Sequence, residues 1–272
     1  MTATPFERIG ERIRATDSVL SVGLDPALDR LPDAVSDYDY PRRAFNRRIV
    51  DATHEHVAAY SANLAFYEDP DGWTALAETI AYAQGKGVPV VLDGKRADIG
   101  NTSSQYAKLA DSADAVTVNP YLGRDALDPF FERETAVFVA CRTPNAGAVD
   151  LQTRELAGGE TLAERVASLV EEWADDAAAD VGLLVGGDAE AVEGLRERAP
   201  DLPFFVVGGA RNDPEVAAFA VPEGAGVGLV NVSREVIYAG VGVAGGRGGE
   251  DAFAAAAGQA ARRLARQLNR HR

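Results

Sequence analysis

The chain has 272 residues, of which 46% are apolar, and its formal net charge is −15 at pH 7. This acidic charge argues against nucleic acid as a partner, because binding a phosphate backbone requires a basic surface. The apolar runs are too short to cross a bilayer, and the single cysteine, Cys141, excludes an intrachain disulfide and a cysteine-based metal cluster. Residues 1–14 lack the continuous apolar segment of a signal peptide, so we expect a cytoplasmic protein without a membrane partner.

Short apolar runs rich in valine and leucine predict eight β-strands. They lie near Val19–Leu24, Val57–Phe66, Val88–Leu92, Ala115–Val118, Ala136–Ala140, Val181–Val185, Phe204–Val207 and Gly226–Val230. Longer amphipathic or alanine-rich segments predict helices, which include Arg42–His56, Gly72–Gly85, Leu162–Ala178, Ala189–Ala199 and Asp251–Asn269.

This alternation predicts a single-domain (β/α)8 barrel over residues 1–272. Strands that alternate with helices pair in parallel through right-handed crossovers, and eight such units close into a barrel. A doubly wound open sheet is the alternative, but the glycine-rich dinucleotide motif expected after its first strand is replaced by Gly23-Leu24-Asp25-Pro26.

Lysine is rare in this chain, which has three lysines and 24 arginines, and one lysine stands between two aspartates. The segment Asp93-Gly94-Lys95-Arg96-Ala97-Asp98 follows a predicted strand, and alternation would project Asp93 and Lys95 to the same side. Arginine would carry the same charge but could not release a proton near neutral pH. The segment therefore predicts proton transfer, with a surface ion pair on a turn as the alternative.

Several polar residues and glycines stand at or just beyond the ends of predicted strands. Because the carboxyl ends of the strands meet at one mouth of a barrel, these residues are expected to share a site. They are Asp25, Asp93, Lys95, Asn119, Arg142, Gly208 and Arg234. For Asn119, a role as a turn residue before Pro120 is an equal alternative.

The motif D-x-K-x-x-D-I-x-x-T at residues 93–102 resembles the signature of the orotidine 5′-phosphate decarboxylase family. The resemblance covers nearly the whole chain and extends to the longer second subgroup of that family. Further matching segments are residues 21–25, 64–68, 116–123, 183–186 and 233–234. The acidic, lysine-poor composition resembles that of a salt-loving archaeal member.

The resemblance implies a decarboxylase that needs no cofactor or metal. Lys95 would protonate C6 of the pyrimidine, Asp93 would hold Lys95, and Asp25 would bind the ribose hydroxyls. Asp98 and Thr102 would reach into the site of a second subunit, which implies a homodimer with shared active sites. Arg234 would bind the phosphate of the nucleotide substrate.

The sequence departs from the family pattern at three places. Ser61 stands where the second strand of the family carries a lysine, so the charged array would lose one positive charge. Pro144 stands where the subgroup has a serine that contacts the pyrimidine, and Thr143 and Gln152 are candidate replacements.

The third departure is the loop Val207–Asp213, which lacks the family's proline and glutamine. Gly208 and Gly209 would still let backbone amides approach a phosphate, and Arg211 is a candidate substitute for the lost contact.

These departures leave two further hypotheses open. The chain could be a diverged family member that binds a phosphorylated nucleotide or sugar without decarboxylating it. It could also be a related barrel lyase that acts on a sugar phosphate with magnesium, although Ile99-Gly100-Asn101-Thr102 fits the orotidylate enzymes better.

Overall fold

The computed structural model of the chain describes residues 3–208, 213–221, 226–241 and 252–272. Within this part of the chain, eight strands close into a barrel in sequence order, and each neighbouring pair is parallel. They are β1 (Leu20–Gly23), β2 (Ala59–Asn63), β3 (Val90–Arg96), β4 (Ala115–Val118), β5 (Ala136–Ala140), β6 (Asp180–Gly186), β7 (Phe204–Val207) and β8 (Leu229–Val232). The predicted (β/α)8 barrel is confirmed.

Helices surround the barrel and fill the connections between its strands. Those in the described residues are α1 (Pro5–Thr16), α2 (Asp33–Ser36), α3 (Pro41–Thr53), α4 (Pro70–Gly85), α5 (Gly100–Ala107), α6 (Asp128–Phe131), α7 (Ala148–Leu151), α8 (Leu162–Ala174), α9 (Ala189–Arg198), α10 (Val216–Ala220), α11 (Arg234–Ile237) and α12 (Ala252–Leu268). Each predicted helix has a counterpart, in α3, α4, α8, α9 and α12. Residue 251, the predicted start of the last one, lies outside the described residues.

The first helix, α1, covers the amino-terminal end of the barrel and was not among the predicted helices. A capping box at Thr4 starts it. Arg8 forms an ion pair of 3.0 Å with Asp114, just before β4, and the amide of Phe6 donates to Asp180 at the start of β6. Since both carboxylates lie at the amino-terminal ends of their strands, α1 closes this end and leaves the opposite mouth for a site.

Side chains fill the interior of the barrel. Phe138 of β5 and Phe205 of β7 are fully buried, with ring centroids 5.4 Å apart. Because β6 lies between these two strands, the rings meet through the interior, which is packed as in other barrels of this kind.

Five observed strands differ from the predicted ones in their bounds, and three of the shifts bear on the site. β3 continues to Arg96, past the predicted end at Leu92, and so contains Asp93 and Lys95. β2 ends at Asn63, because the following residues Leu64–Phe66 form a 3-10 helix in which Asn63 caps the first turn. β8 begins at Leu229 and continues to Val232, past the predicted end at Val230. These shifts make Asn63 the last residue of β2 and place Asn231 inside β8.

Candidate active site

Asp93 and Lys95 form an ion pair at the carboxyl end of β3. The Nζ of Lys95 lies 2.6 Å from Oδ1 of Asp93. Asp93 is buried, with 8% of its surface exposed, whereas the Lys95 side chain is 35% exposed. A charged amine that is held by a buried carboxylate and still reaches solvent is placed to act on a molecule in the barrel mouth.

A bulge in β3 brings this pair together. The pairing with β4 passes from Leu92–Val116 to Arg96–Val118, so four residues of β3 advance against two of β4. Lys95 lies inside the bulge with a φ of 46°, a left-handed conformation that costs free energy for a residue with a side chain. Simple strand alternation, the predicted cause of the contact, was therefore the wrong reason, because the bulge re-aims Lys95.

Thr117 of β4 supports both members of the pair. Its hydroxyl donates to Oδ1 of Asp93 at 2.7 Å and accepts the backbone N–H of Lys95 at 2.9 Å. Thr117 is buried at 1% exposure. Thr117 lay inside the predicted strand Ala115–Val118 and was given no role there, and the register against β3 reveals its polar role.

Asn63 connects Asp93 to Asp25. Its side-chain amide donates to Oδ2 of Asp93 at 3.2 Å, and its backbone N–H donates to Oδ1 of Asp25 at 3.0 Å. Burial raises the pKa of the Asp25 carboxyl, and hydrogen bonds that involve Ser233 and Asn63 oppose that shift. Asn63 was not among the predicted site residues, because it lay inside the predicted strand Val57–Phe66 and not at its end.

Ser61 makes no hydrogen bond with Asp93. Its hydroxyl donates to Oδ1 of Asn231 in β8 at 3.0 Å. Because β1 separates β2 from β8, this bond crosses the barrel interior. Ser61 is 2% exposed, so the residue at the position of the expected lysine is part of the packed interior.

Asp98 and Thr102 lie apart from the Asp93–Lys95 pair. Asp98 accepts the N–H of Ile99 at 2.8 Å and makes no hydrogen bond or ion pair with Lys95. Thr102 is exposed on α5, and Ile99 is 65% exposed. Their predicted role in the site of a second subunit is not tested by one chain.

A cavity of about 510 Å³ opens beside Lys95. Its polar lining includes Asn119, Thr143 and Gln152, and its far wall is apolar around Trp173. Thr143 and Gln152 bond to each other, since the amide N–H of Thr143 donates to Oε1 at 2.8 Å and Nε2 donates to the Thr143 hydroxyl at 2.8 Å. The Thr143 hydroxyl itself donates to Oδ1 of Asn145 at 2.6 Å. The second N–H of the Gln152 amide and a free lone pair on its Oε1 can still bond to a polar ring.

Asn119 has a local structural role in this chain. Its Oδ1 accepts the N–H of Tyr121 at 3.0 Å and thereby caps the short 3-10 helix Pro120–Leu122. The turn interpretation is thus observed, while the side chain also lines the cavity.

Pro144 packs against two glycines at the ends of β6 and β7. A Cβ atom at Gly208 would lie 2.4 Å from Cγ of Pro144, and one at Gly186 would lie 2.6 Å from its Cδ. Gly208 has a φ of 77°, which favours glycine. Bare backbone therefore borders the mouth on this side.

Of the remaining predicted phosphate ligands, Arg234 belongs to the described residues. Arg234 begins α11 directly after the barrel, and its side chain is exposed toward solvent. Gly209 and Arg211 lie outside the described residues.

Two features are absent from the part of the chain that the structure describes. No helix in the described ranges is long and apolar enough to cross a membrane. In the same part of the chain, no group of three or more histidine, cysteine, aspartate or glutamate side chains is placed to hold a metal ion.

Comparison with known proteins identifies the family. Residues 18–247 match the model of the orotidine 5′-phosphate decarboxylase / HUMPS family. The chain is 55% identical to the orotidine 5′-phosphate decarboxylase of Halorubrum lacusprofundi over 98% of this chain and 99% of that protein, and 54% identical to that of Haloarcula marismortui with the same coverage. The solved structure of Leishmania donovani OMP decarboxylase is 36% identical, covers 98% of both chains and superposes with a TM-score of 0.79. The predicted resemblance is thus confirmed, and the chain belongs to the orotidine 5′-phosphate decarboxylase / HUMPS family.

Proposed function

We propose that the chain converts orotidine 5′-phosphate into uridine 5′-phosphate and carbon dioxide. The observation that carries this proposal is the Lys95–Asp93 pair, with its 2.6 Å contact, at the carboxyl end of a strand in a barrel of this family. The 55% identity to a named orotidine 5′-phosphate decarboxylase favours this substrate over a sugar phosphate.

The chemistry requires one positioned proton donor. When the bond between C6 and the carboxylate breaks, carbon dioxide leaves and the electron pair of that bond remains on C6. The ammonium of Lys95 stabilises this charge and then gives its proton to C6, which yields the uracil ring. Asp93 holds the amine in place during both events.

Residues at the other strand ends bind different parts of the substrate. Asp25 accepts hydrogen bonds from the ribose hydroxyls, and Thr143 with Gln152 recognises the pyrimidine. Arg234 and the backbone at Gly208 bind the phosphate, for which a planar guanidinium is well suited. Gly209 and Arg211 are assigned to the same group from the sequence alone.

The direct test follows the absorbance change when orotidine 5′-phosphate is added to the purified chain in concentrated potassium chloride. Turnover that disappears in Lys95→Ala supports the proposal. A folded chain that binds uridine 5′-phosphate but never converts the substrate would contradict it and support a binding protein. The buried Ser61–Asn231 contact is the observation that favours this second candidate, because it replaces a cation.

We also propose that the active unit is a homodimer with shared sites. Apolar side chains are exposed around the cavity, where water would contact them in an isolated chain. Tyr121 and Leu151, which line the cavity, are 78% and 57% exposed, and Ile99, which follows the end of β3, is 65% exposed. Asp98 and Thr102 belong to the same segment as Ile99, so burial of Ile99 against a second copy would carry them toward its site.

Mixing two inactive variants tests the shared site. In the proposed dimer, Lys95 acts in the site of its own subunit and Asp98 in the site of the other subunit. A hybrid of Lys95→Ala and Asp98→Ala would therefore have one intact site and one site that lacks both residues. Random exchange of subunits should restore roughly a quarter of the parental activity. Sites built within one chain would restore none, and light scattering of each variant checks that it still assembles.

The acidic, lysine-poor composition supports a cytoplasmic enzyme adapted to high salt. Net charge maintains solubility when salt screens repulsion between molecules. We expect the unfolding temperature to rise between dilute and concentrated potassium chloride, and a fall over the same range would contradict this adaptation.

A further inference from the structure

We propose that Asn63 and Thr117 are positioning residues that hold Asp93 in the absence of a second-strand cation. This inference rests on the proposed function and extends it to two residues that the charged motif does not contain. Together they supply neutral hydrogen bonds to the buried carboxylate on which Lys95 depends.

The position of Asn63 follows from the strand register. It is the last residue of β2 and lies opposite Asp93 in the β2–β3 pairing. Its Oδ1 accepts the N–H of Ala65 at 3.1 Å, which turns Nδ2 toward Oδ2 of Asp93. The orientation of the amide is therefore fixed by a bond on each side.

Ser61 cannot provide this contact. Residues two apart on a strand face the same side, so Ser61 lies one step deeper in the barrel than Asn63. Its hydroxyl is engaged with Asn231 at 3.0 Å. The only described side chain of β2 that bonds to Asp93 is that of Asn63.

Thr117 supplies the second neutral hydrogen bond to Asp93, from β4, which lies on the other side of β3 from β2. One hydroxyl donates to Asp93 and accepts the N–H of Lys95, at 2.7 and 2.9 Å. It thus fixes the carboxylate and also the left-handed backbone at Lys95, whose φ is 46°. Asp93 accepts three hydrogen bonds from described groups, of which only the one from Lys95 carries a charge.

Neutral donors have a specific consequence for the amine. A second cation would compete with Lys95 for Asp93, whereas an amide and a hydroxyl orient the carboxylate and leave Lys95 as its one charged partner. Asn63 also contacts Asp25 through its backbone, so the proposed ribose ligand and the reacting pair share one support.

Three variants at the two positions test the proposal through steady-state kinetics. Thr117→Val removes the hydroxyl at nearly constant volume, and Thr117→Ser retains it. We expect kcat to fall on the order of 10- to 100-fold in Thr117→Val and in Asn63→Ala, with a smaller change in KM, because misplacing a catalytic group mainly affects the transition state. Thr117→Ser should recover most of the loss.

Controls separate positioning from general damage. Thr135→Val removes another buried hydroxyl, which bonds to the carbonyl of Asp114 at the amino-terminal end of the barrel, and should leave kcat unchanged. Ser61→Ala should reduce kcat less than Asn63→Ala. Equal losses in these two, or in Thr117→Val and Thr117→Ser, would overturn the proposal.

A spectroscopic readout makes the inference independent of turnover. The chain has three lysines, at 86, 95 and 108, so lysine labelled with ¹³C at Cε gives three signals, and Lys95→Ala assigns one of them. That signal should shift in Thr117→Val and Asn63→Ala and stay in place in Thr135→Val. A parental chain without turnover would refute the proposed function, whereas an unmoved Lys95 signal would refute the positioning roles.

Discussion

The two sides of the barrel mouth differ in the groups that line them. On the side of β2, β3 and β4, polar side chains are joined by hydrogen bonds. Asp93 accepts three of them, from Asn63, Lys95 and Thr117. On the side of β6 and β7, bare backbone at Gly186 and Gly208 borders the mouth, with Pro144 packed against it. The first side is sensitive to the loss of a polar group, and the second to the addition of a methyl group.

The largest expected effect is on the polar side. Lys95→Ala removes both the proton donor and the charge that stabilises C6, so kcat should fall by at least about 10³-fold while uridine 5′-phosphate still binds. Steady-state kinetics and calorimetry measure the two quantities. Lys86→Ala is the matched control, because Lys86 forms a surface ion pair with Asp51 at 2.8 Å. A similar loss in both variants would mean that Lys95 acts through general charge only.

Arg234, which follows β8, is expected to affect substrate binding and not the rate of the chemical step. Charge-assisted hydrogen bonds contribute roughly 1.5–3 kcal/mol each, so Arg234→Ala should raise KM about 10- to 100-fold. Titration with uridine 5′-phosphate and with uridine isolates the phosphate contribution. The variant should lose affinity for the nucleotide and keep that for the nucleoside. Equal losses for both ligands would place Arg234 elsewhere in the mechanism.

The sequence predicted the barrel and the charged motif because both depend on local patterns. Buried parallel strands appear as apolar runs, such as Ala115–Val118, which matches β4 without any shift. The lysine of the motif stood out because lysine is rare in this chain. The helix α1 was not predicted, although the sequence has Thr4 three residues before Glu7, as in a capping box, and Ile9 four residues before Ile13.

The supporting residues could not be predicted in the same way. The role of Thr117 depends on the bulge between Leu92 and Arg96, and a change of register across two strands leaves no trace in either strand's own pattern. Asn63 lay inside the predicted strand Val57–Phe66, so its place at the end of β2 and opposite Asp93 became apparent only from the strand pairing. Roles that depend on pairing between distant segments require the fold.

Gly208 tests whether the backbone side is limited by shape. Gly208→Ala places a side chain on a residue with a φ of 77° and a Cβ 2.4 Å from Cγ of Pro144. We expect a loss of about 1–3 kcal/mol in the free energy of unfolding, measured by chemical denaturation. Gly194→Ala is the control, because Gly194 lies inside α9 with open space around its Cβ, and it should be neutral or stabilising.

A double variant separates the two causes of that loss. Adding Pro144→Ala to Gly208→Ala removes the contact but not the unfavourable backbone conformation, so part of the stability should return. Full recovery would mean that the backbone at residue 208 is not strained. No recovery would mean that Pro144 does not limit the space there.

The smallest expected effect is at Asp25, where the buried carboxylate is expected to lower the stability of the fold and to strengthen binding of the ribose. Burial raises the pKa of this carboxyl, which means that the folded state disfavours its ionised form. Below the ordinary carboxyl pKa the group is protonated in both states and costs nothing. As the pH rises from that value through the raised pKa of the folded state, the protein loses stability, and the loss is complete above it.

Asp25→Asn should therefore unfold at a higher temperature than the parent at neutral pH, with a gap that closes toward acid. The amide oxygen can still accept the N–H of Asn63, so the local structure is kept. The same variant should bind uridine 5′-phosphate more weakly, because ribose hydroxyls donate most strongly to a carboxylate that water solvates poorly. Thermal scans across the acid-to-neutral range and calorimetry with the nucleotide measure both effects. A stability gap that is the same at every pH would show that burial of the charge is not what separates the variant from its parent.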